Sequence, residues 1–98
     1  MTTVRDRRMF SRVEVGLPIS LPGAFLRDIC ASGARVTCQR RFLLDEDIVF
    51  LVNIPDGKAP LSMKGKAVWS KETGINVWDT GLRFEKINFM DLHRLFNM

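Results

Sequence analysis

From Val13 onward the chain alternates. Val13, Val15, Leu17, Ile19 and Leu21 are apolar, while Glu14, Gly16, Pro18 and Ser20 lie between them. A period of two is that of a half-buried strand, and Pro18 sets part of it at an edge or a bulge. Pro22-Gly23 turns the chain. Ala24 to Ile29 predicts a second strand, with Phe25, Arg27 and Ile29 on one face and Leu26 and Asp28 on the other. After a tight connection, Cys30-Ala31-Ser32-Gly33, Ala34 to Cys38 alternates again, with Arg35 and Thr37 as its polar positions. Gln39 to Asp47 is a polar loop that Phe42, Leu43 and Leu44 are expected to pin to the core. Ile48 to Ile54 is apolar on both faces, the pattern of a central strand covered on each side.

Past the turn at Pro55-Asp56-Gly57-Lys58, Leu61 to Ser70 alternates once more. Leu61, Met63, Ala67 and Trp69 fall on one face, and Ser62, Lys64, Lys66 and Ser70 on the other. Glu72-Thr73-Gly74 turns into a last strand, Ile75 to Phe84. Asn88 to Met98 changes period: Phe89, Leu92, Leu95 and Phe96 form a helical stripe, Asn88 can cap it, and Asp91 suits its first turn. The predicted fold is all-β: a small six-stranded antiparallel barrel with a C-terminal α-helix as a lid. One such domain fills residues 13–98, preceded by a flexible arm at residues 1–12.

Charge changes the picture only at that arm. Arg5, Arg7, Arg8 and Arg12 against Asp6 give it +3, and the whole chain carries +4, so the body contributes +1. Arginine forks bidentately onto phosphate or a guanine edge and stacks on bases. The arm is therefore either an anion-gripping segment or a solvated tail. Its lack of an apolar stretch argues against a secretory signal, and no run is long enough to span a membrane, which points to a cytoplasmic protein. Cys30 and Cys38 fit neither a disulfide scaffold nor a zinc spacing and read as small buried thiols. The single histidine, His93, sits on the terminal helix, and no nucleophile has an evident partner. There is no phosphate loop, metal-ligand cluster or cofactor motif, so an enzyme is not expected.

Two stretches stand out together. Arg8 and Arg12 are spaced RxxxR, and Asp28 to Gly33 reads Asp-Ile-Cys-Ala-Ser-Gly across a strand end and a turn. With Val68-Trp69 and the closing Gly81-Leu82-Arg83-Phe84, the chain resembles the PilZ domain, a bacterial receptor for cyclic di-GMP. The family pattern is RxxxR, a strand, then (D/N)xSxxG. The resemblance implies a six-stranded barrel whose ligand is cyclic di-GMP, relayed to an unidentified effector protein in pathways such as motility or exopolysaccharide synthesis. It implies Arg8 and Arg12 on guanine or phosphate, with Arg7 as a third candidate.

In the same resemblance Asp28 accepts from guanine N1–H and N2–H₂, and Gly33 is where the backbone takes a positive φ or comes close to the ligand. Trp69 stands where some members offer a side chain to a second guanine, although its parity with Leu61 and Met63 equally fits the core. Arg83 is an outward strand residue near the site or simply solvated. Cys30 departs from the motif serine. A thiol is a weak donor, and one neutral hydrogen bond is worth about 0.5–1.5 kcal/mol. Ser32 can replace the hydroxyl only if the register of the loop shifts. Two alternatives stand beside this reading: a degenerate domain that binds no nucleotide, and a small nucleic-acid-binding barrel. The near-neutral body argues against the latter.

Overall fold

The apolar half of each alternating stretch needs cover, and the chain supplies it by curling one sheet on itself. The computed structural model describes residues 13–85 and 89–96; the arginine arm, with Arg7, Arg8 and Arg12, lies outside them. The strands are β1 (Val13–Pro18), β2 (Phe25–Ile29), β3 (Gly33–Cys38), β4 (Asp47–Val52), β5 (Leu61–Gly74) and β6 (Val77–Phe84), followed by helix α1 (Phe89–Phe96). They form one six-stranded sheet in the order β1-β2-β3-β6-β5-β4, and every neighbouring pair is antiparallel. Its two ends meet at a bridge between Ile19 and Val52. There the Ser20 amide donates to the Leu51 carbonyl at 3.0 Å, and the Leu51 amide donates to Ser20 Oγ at 2.9 Å. The expected barrel is present as a curled, partly closed sheet.

Inside it, Leu26, Ile29, Val36, Phe50 and Val52 are fully buried with Thr80, and α1 adds Leu92 and Leu95. The helix is tied down at its polar side as well. Arg94 donates to both carboxylate oxygens of Asp56, at 2.8 and 3.1 Å, and to the Ala59 carbonyl at 2.8 Å. That guanidinium pulls the Asp56 carboxyl down from 3.8 to about 2, helped by the Lys58 amide.

Several expectations need correction. β4 is not central: it ends the sheet, and its outward Val49 and Leu51 are 57% and 47% exposed. An apolar run does not by itself distinguish a strand covered on both sides from one that leaves an apolar face in water. In the loop before it only Phe42 is buried, and Leu43 and Leu44 are exposed. Backbone pairing holds that loop instead, from the Asp45 amide to the Ala67 carbonyl at 2.7 Å and from the Ala67 amide to the Glu46 carbonyl at 3.0 Å. The assigned faces of β2 and β5 also fail where the register shifts, between Leu26 and Asp28 and between Ala67 and Trp69.

Candidate functional site

A bulge inserts one residue into a strand, so every side chain beyond it changes face. In β2 the extra residue is Arg27. Leu26 pairs with Val36 inside, and after the bulge Asp28 pairs with Arg35 while Ile29 pairs with Ala34. Asp28 therefore joins Phe25 on the outer side and Ile29 joins Leu26 in the core, the reverse of strict alternation. β1 carries its own irregularity between Glu14 and Leu17, where Gly16 takes a φ of 59°. The two irregularities lie side by side and open a cleft of about 360 Å³ lined by Glu14, Val15, Gly16, Arg27 and Arg35.

In β5 the third bulge falls at Val68. It turns Trp69 outward, 39% exposed, and sends Ser70 to Thr80, with their hydroxyls 3.3 Å apart. Core packing of Trp69 is thus excluded. Its indole lies against Gly81, where a β-carbon would collide with the ring. Trp69 pairs with Gly81, Gly81 with Arg35, Arg35 with Asp28, and Asp28 with Glu14. These residues form one row across five strands on the outer face. Asp28 and Trp69 are three strand spacings apart along it, roughly 14 Å.

At the centre of the row charge is paired. Arg35 Nε donates to Asp28 Oδ2 at 2.9 Å, and its Nη1 donates to Asp79 Oδ2 at 3.2 Å. Thr37 donates to the other Asp79 oxygen at 2.8 Å. One guanidinium thus bridges carboxylates from β2 and β6, and Asp28 is 5% exposed. A carboxylate this deep needs a charged or hydrogen-bonding partner.

The turn after Asp28 is closed by the Cys30 amide donating to the Gly33 carbonyl at 2.9 Å. Cys30 is buried as a thiol, as expected, with its Sγ 3.4 Å from Ser32 Oγ, while Ser32 itself is exposed. Gly33 differs from expectation. It is not among the positive-φ glycines, and its close approach is to the Leu82 carbonyl of β6, which a β-carbon would strike. The glycine allows β3 to pack on β6. Arg83, paired with Gly33 and Lys66, is exposed one row away.

The structure thus gathers Asp28, the Cys30–Gly33 turn, Trp69 and Arg83 on or beside one face. Sequence reasoning missed Arg27, Arg35, Thr37, Asp79 and Gly81. Alternation had already turned Arg35 and Thr37 outward. Their meeting with Asp79 needed the β3–β6 register, which no local pattern encodes.

The fold defines a small, partly closed antiparallel β-barrel with a C-terminal helix. The family model of the PilZ domain matches residues 6–98, essentially the whole chain, and the chain belongs to that family, whose members are cyclic di-GMP receptors and adaptors rather than enzymes. No curated protein shows a significant match to it. No helix among the described residues is long and apolar enough to cross a membrane.

Proposed function

We propose that the chain is a cytoplasmic cyclic di-GMP receptor that passes the signal to an effector protein by changing the surface around its ligand. The observation that carries this reading is the outer row, in which a buried acceptor, Asp28, and a flat aromatic, Trp69, share one face beside two arginines. Asp28 accepts from guanine N1–H and N2–H₂, a pair of donors that adenine lacks. Trp69 offers its ring to a base, since stacking suits any base and is worth about 1–3 kcal/mol. Arg27, which lines the cleft with Arg35, and Arg83, two positions beyond Gly81 on β6, supply charge for phosphate. Arg7, Arg8 and Arg12, outside the described residues, supply the remaining positive charge and close over the dinucleotide. The turn of Cys30, Ser32 and Gly33 lies at the phosphate, with the thiol in place of a hydroxyl. A second reading, an adaptor that has lost its nucleotide, is favoured by Cys30 alone.

Calorimetric titration of the full chain with cyclic di-GMP, cyclic di-AMP and a short RNA tests these readings. Saturable binding of cyclic di-GMP in preference to the other two is expected. Asp28→Ala should remove about 1–3 kcal/mol of the preference for guanine, the worth of one bidentate base contact. Equal weakening towards both dinucleotides would assign Asp28 to the turn alone. A wild-type chain indifferent to all three would leave the adaptor, and one that bound only the RNA would be the nucleic-acid-binding barrel.

A further inference from the structure

The geometry points to Arg35 as the residue that sets guanine specificity at second hand, by holding Asp28 in the orientation that reads the base. This rests on the receptor reading above and adds to it a residue outside the binding motifs. Three facts converge on it. Arg35 donates to Asp28 through Nε at 2.9 Å, so the carboxylate is held from its own sheet neighbour. The same guanidinium is held from the opposite strand by Asp79 at 3.2 Å, and Thr37 fixes Asp79 in turn at 2.8 Å. Those two anchors sit on β3 and β6, whose register runs without a break from Gly33–Arg83 to Cys38–Trp78.

Asp28 is the first residue of β2 to pair again after the bulge, with Arg35 on one side and Glu14 on the other. A bulged strand is free to re-aim a side chain, and a guanidinium itself anchored by Asp79 can then hold Oδ2 in place through the single directional bond from Nε. Lysine cannot reproduce this, because its ammonium is a single point. A carboxylate must lie in the plane of the base to accept both guanine donors at once. Tilting it sacrifices the N2–H₂ contact first and the selectivity with it. Arg35 is therefore a positioning residue, and Asp79 is what positions Arg35.

The probe is cyclic di-IMP, which keeps the N1–H of guanine and lacks its 2-amino group. Binding of cyclic di-GMP and cyclic di-IMP is measured for the wild type, Arg35→Met, Arg35→Lys and Asp79→Asn, with melting curves alongside. The wild type should prefer cyclic di-GMP by about tenfold or more. Arg35→Met should bring that ratio close to one, Asp79→Asn should lower it part of the way, and Arg35→Lys should fall nearer to Met than to wild type. If Arg35→Met melts lower but keeps the ratio, Arg35 is only a counter-charge and the inference is overturned. Weakening of both ligands by the same factor would make Arg35 a direct ligand contact and overturns it as well. Should Arg35→Met fail to fold, Asp79→Asn decides, since an unchanged ratio there removes the anchor from the argument. A wild type that binds neither dinucleotide overturns the receptor reading itself, an outcome separate from all of these.

Discussion

Two kinds of strand pairing coexist in this sheet. β3–β6 and β4–β5 run in unbroken register from end to end. β1–β2, β2–β3 and β5–β6 each shift. The regular pairs supply much of the core, including Val36, Phe50 and Val52. The irregular ones adjoin the outer row: Glu14, Asp28 and Trp69 each flank a break. Regular pairing fixes where atoms are, whereas a bulge changes where a side chain points at little expense to the core. The site combines the two, with Arg35, Thr37 and Asp79 on the rigid spine and Asp28 and Trp69 aimed towards it from bulged strands.

Two glycines break this comparison most directly. A β-carbon at Gly33 would meet the Leu82 carbonyl, which is backbone in the unbroken β3–β6 pair. Nothing there can yield without losing the pairing, so Gly33→Ala should destabilise the fold by about 3 kcal/mol, the upper range for overpacking. At Gly81 the obstacle is the Trp69 ring, a side chain that is already partly in solvent. Gly81→Ala should cost less than about 1 kcal/mol because the indole can swing away, yet it should weaken cyclic di-GMP binding by removing the platform. Urea unfolding and ligand titration on both variants test the contrast. Equal stability losses would mean that the bulged side is as rigid as the regular one.

The same contrast explains what could be read from the sequence. Period two located four of the six strands, because each buries its alternate residues wherever the register is regular. β4 was marked by its continuous apolar run, and the turn expected at Glu72-Thr73-Gly74 falls instead at Ile75-Asn76, since β5 runs on to Gly74. Period two assigned Asp28 and Trp69 to the wrong faces, because a bulge adds one residue without any local mark in composition. The motif at Asp28 to Gly33 was visible as letters, but the role of Gly33 was not, since its neighbour Leu82 is nearly fifty positions on. The bridge from Arg35 to Asp79 was hidden for the same reason. β4 misled in the opposite way: its outward Val49 and Leu51 imitate burial while lying exposed.

A finer test concerns the turn between the bulged strand and the spine. Cys30 is buried, but its Sγ already has the Ser32 hydroxyl at 3.4 Å. A serine introduced there meets a polar neighbour rather than only hydrocarbon, so the usual penalty for a buried hydroxyl is largely avoided. Cys30→Ser should therefore leave the melting temperature nearly unchanged. If the turn cradles a phosphate, the stronger donor should tighten cyclic di-GMP binding by about 0.5–1.5 kcal/mol. A lower melting temperature with unchanged affinity would place Cys30 in the core alone.

The smallest effect is expected far from the row, where α1 is tied to the turn that follows β4. Arg94 holds the Asp56 carboxyl at about 2, against 3.8 for the free group. The folded state thus binds the proton more weakly than the unfolded chain does. Stability from this tether is present in full above pH 3.8 and is lost as pH falls through about 2. Arg94 keeps its charge throughout that range, so only the carboxylate titrates. Other carboxylates held low in the fold, Glu46 by the Leu43 amide and then Arg40, and Asp47 by Lys66, will also weaken the fold in acid. A difference between two proteins is therefore the informative quantity. Wild type and Asp56→Asn should differ modestly in urea midpoint at pH 7, and the gap should close as pH approaches 2. Cyclic di-GMP affinity at pH 7 should be the same for both, since the tether touches no part of the row. A gap that stays constant with pH would show that Asp56 acts through neutral hydrogen bonds alone. A change in affinity would show that the regular and bulged parts of the barrel are coupled through the helix.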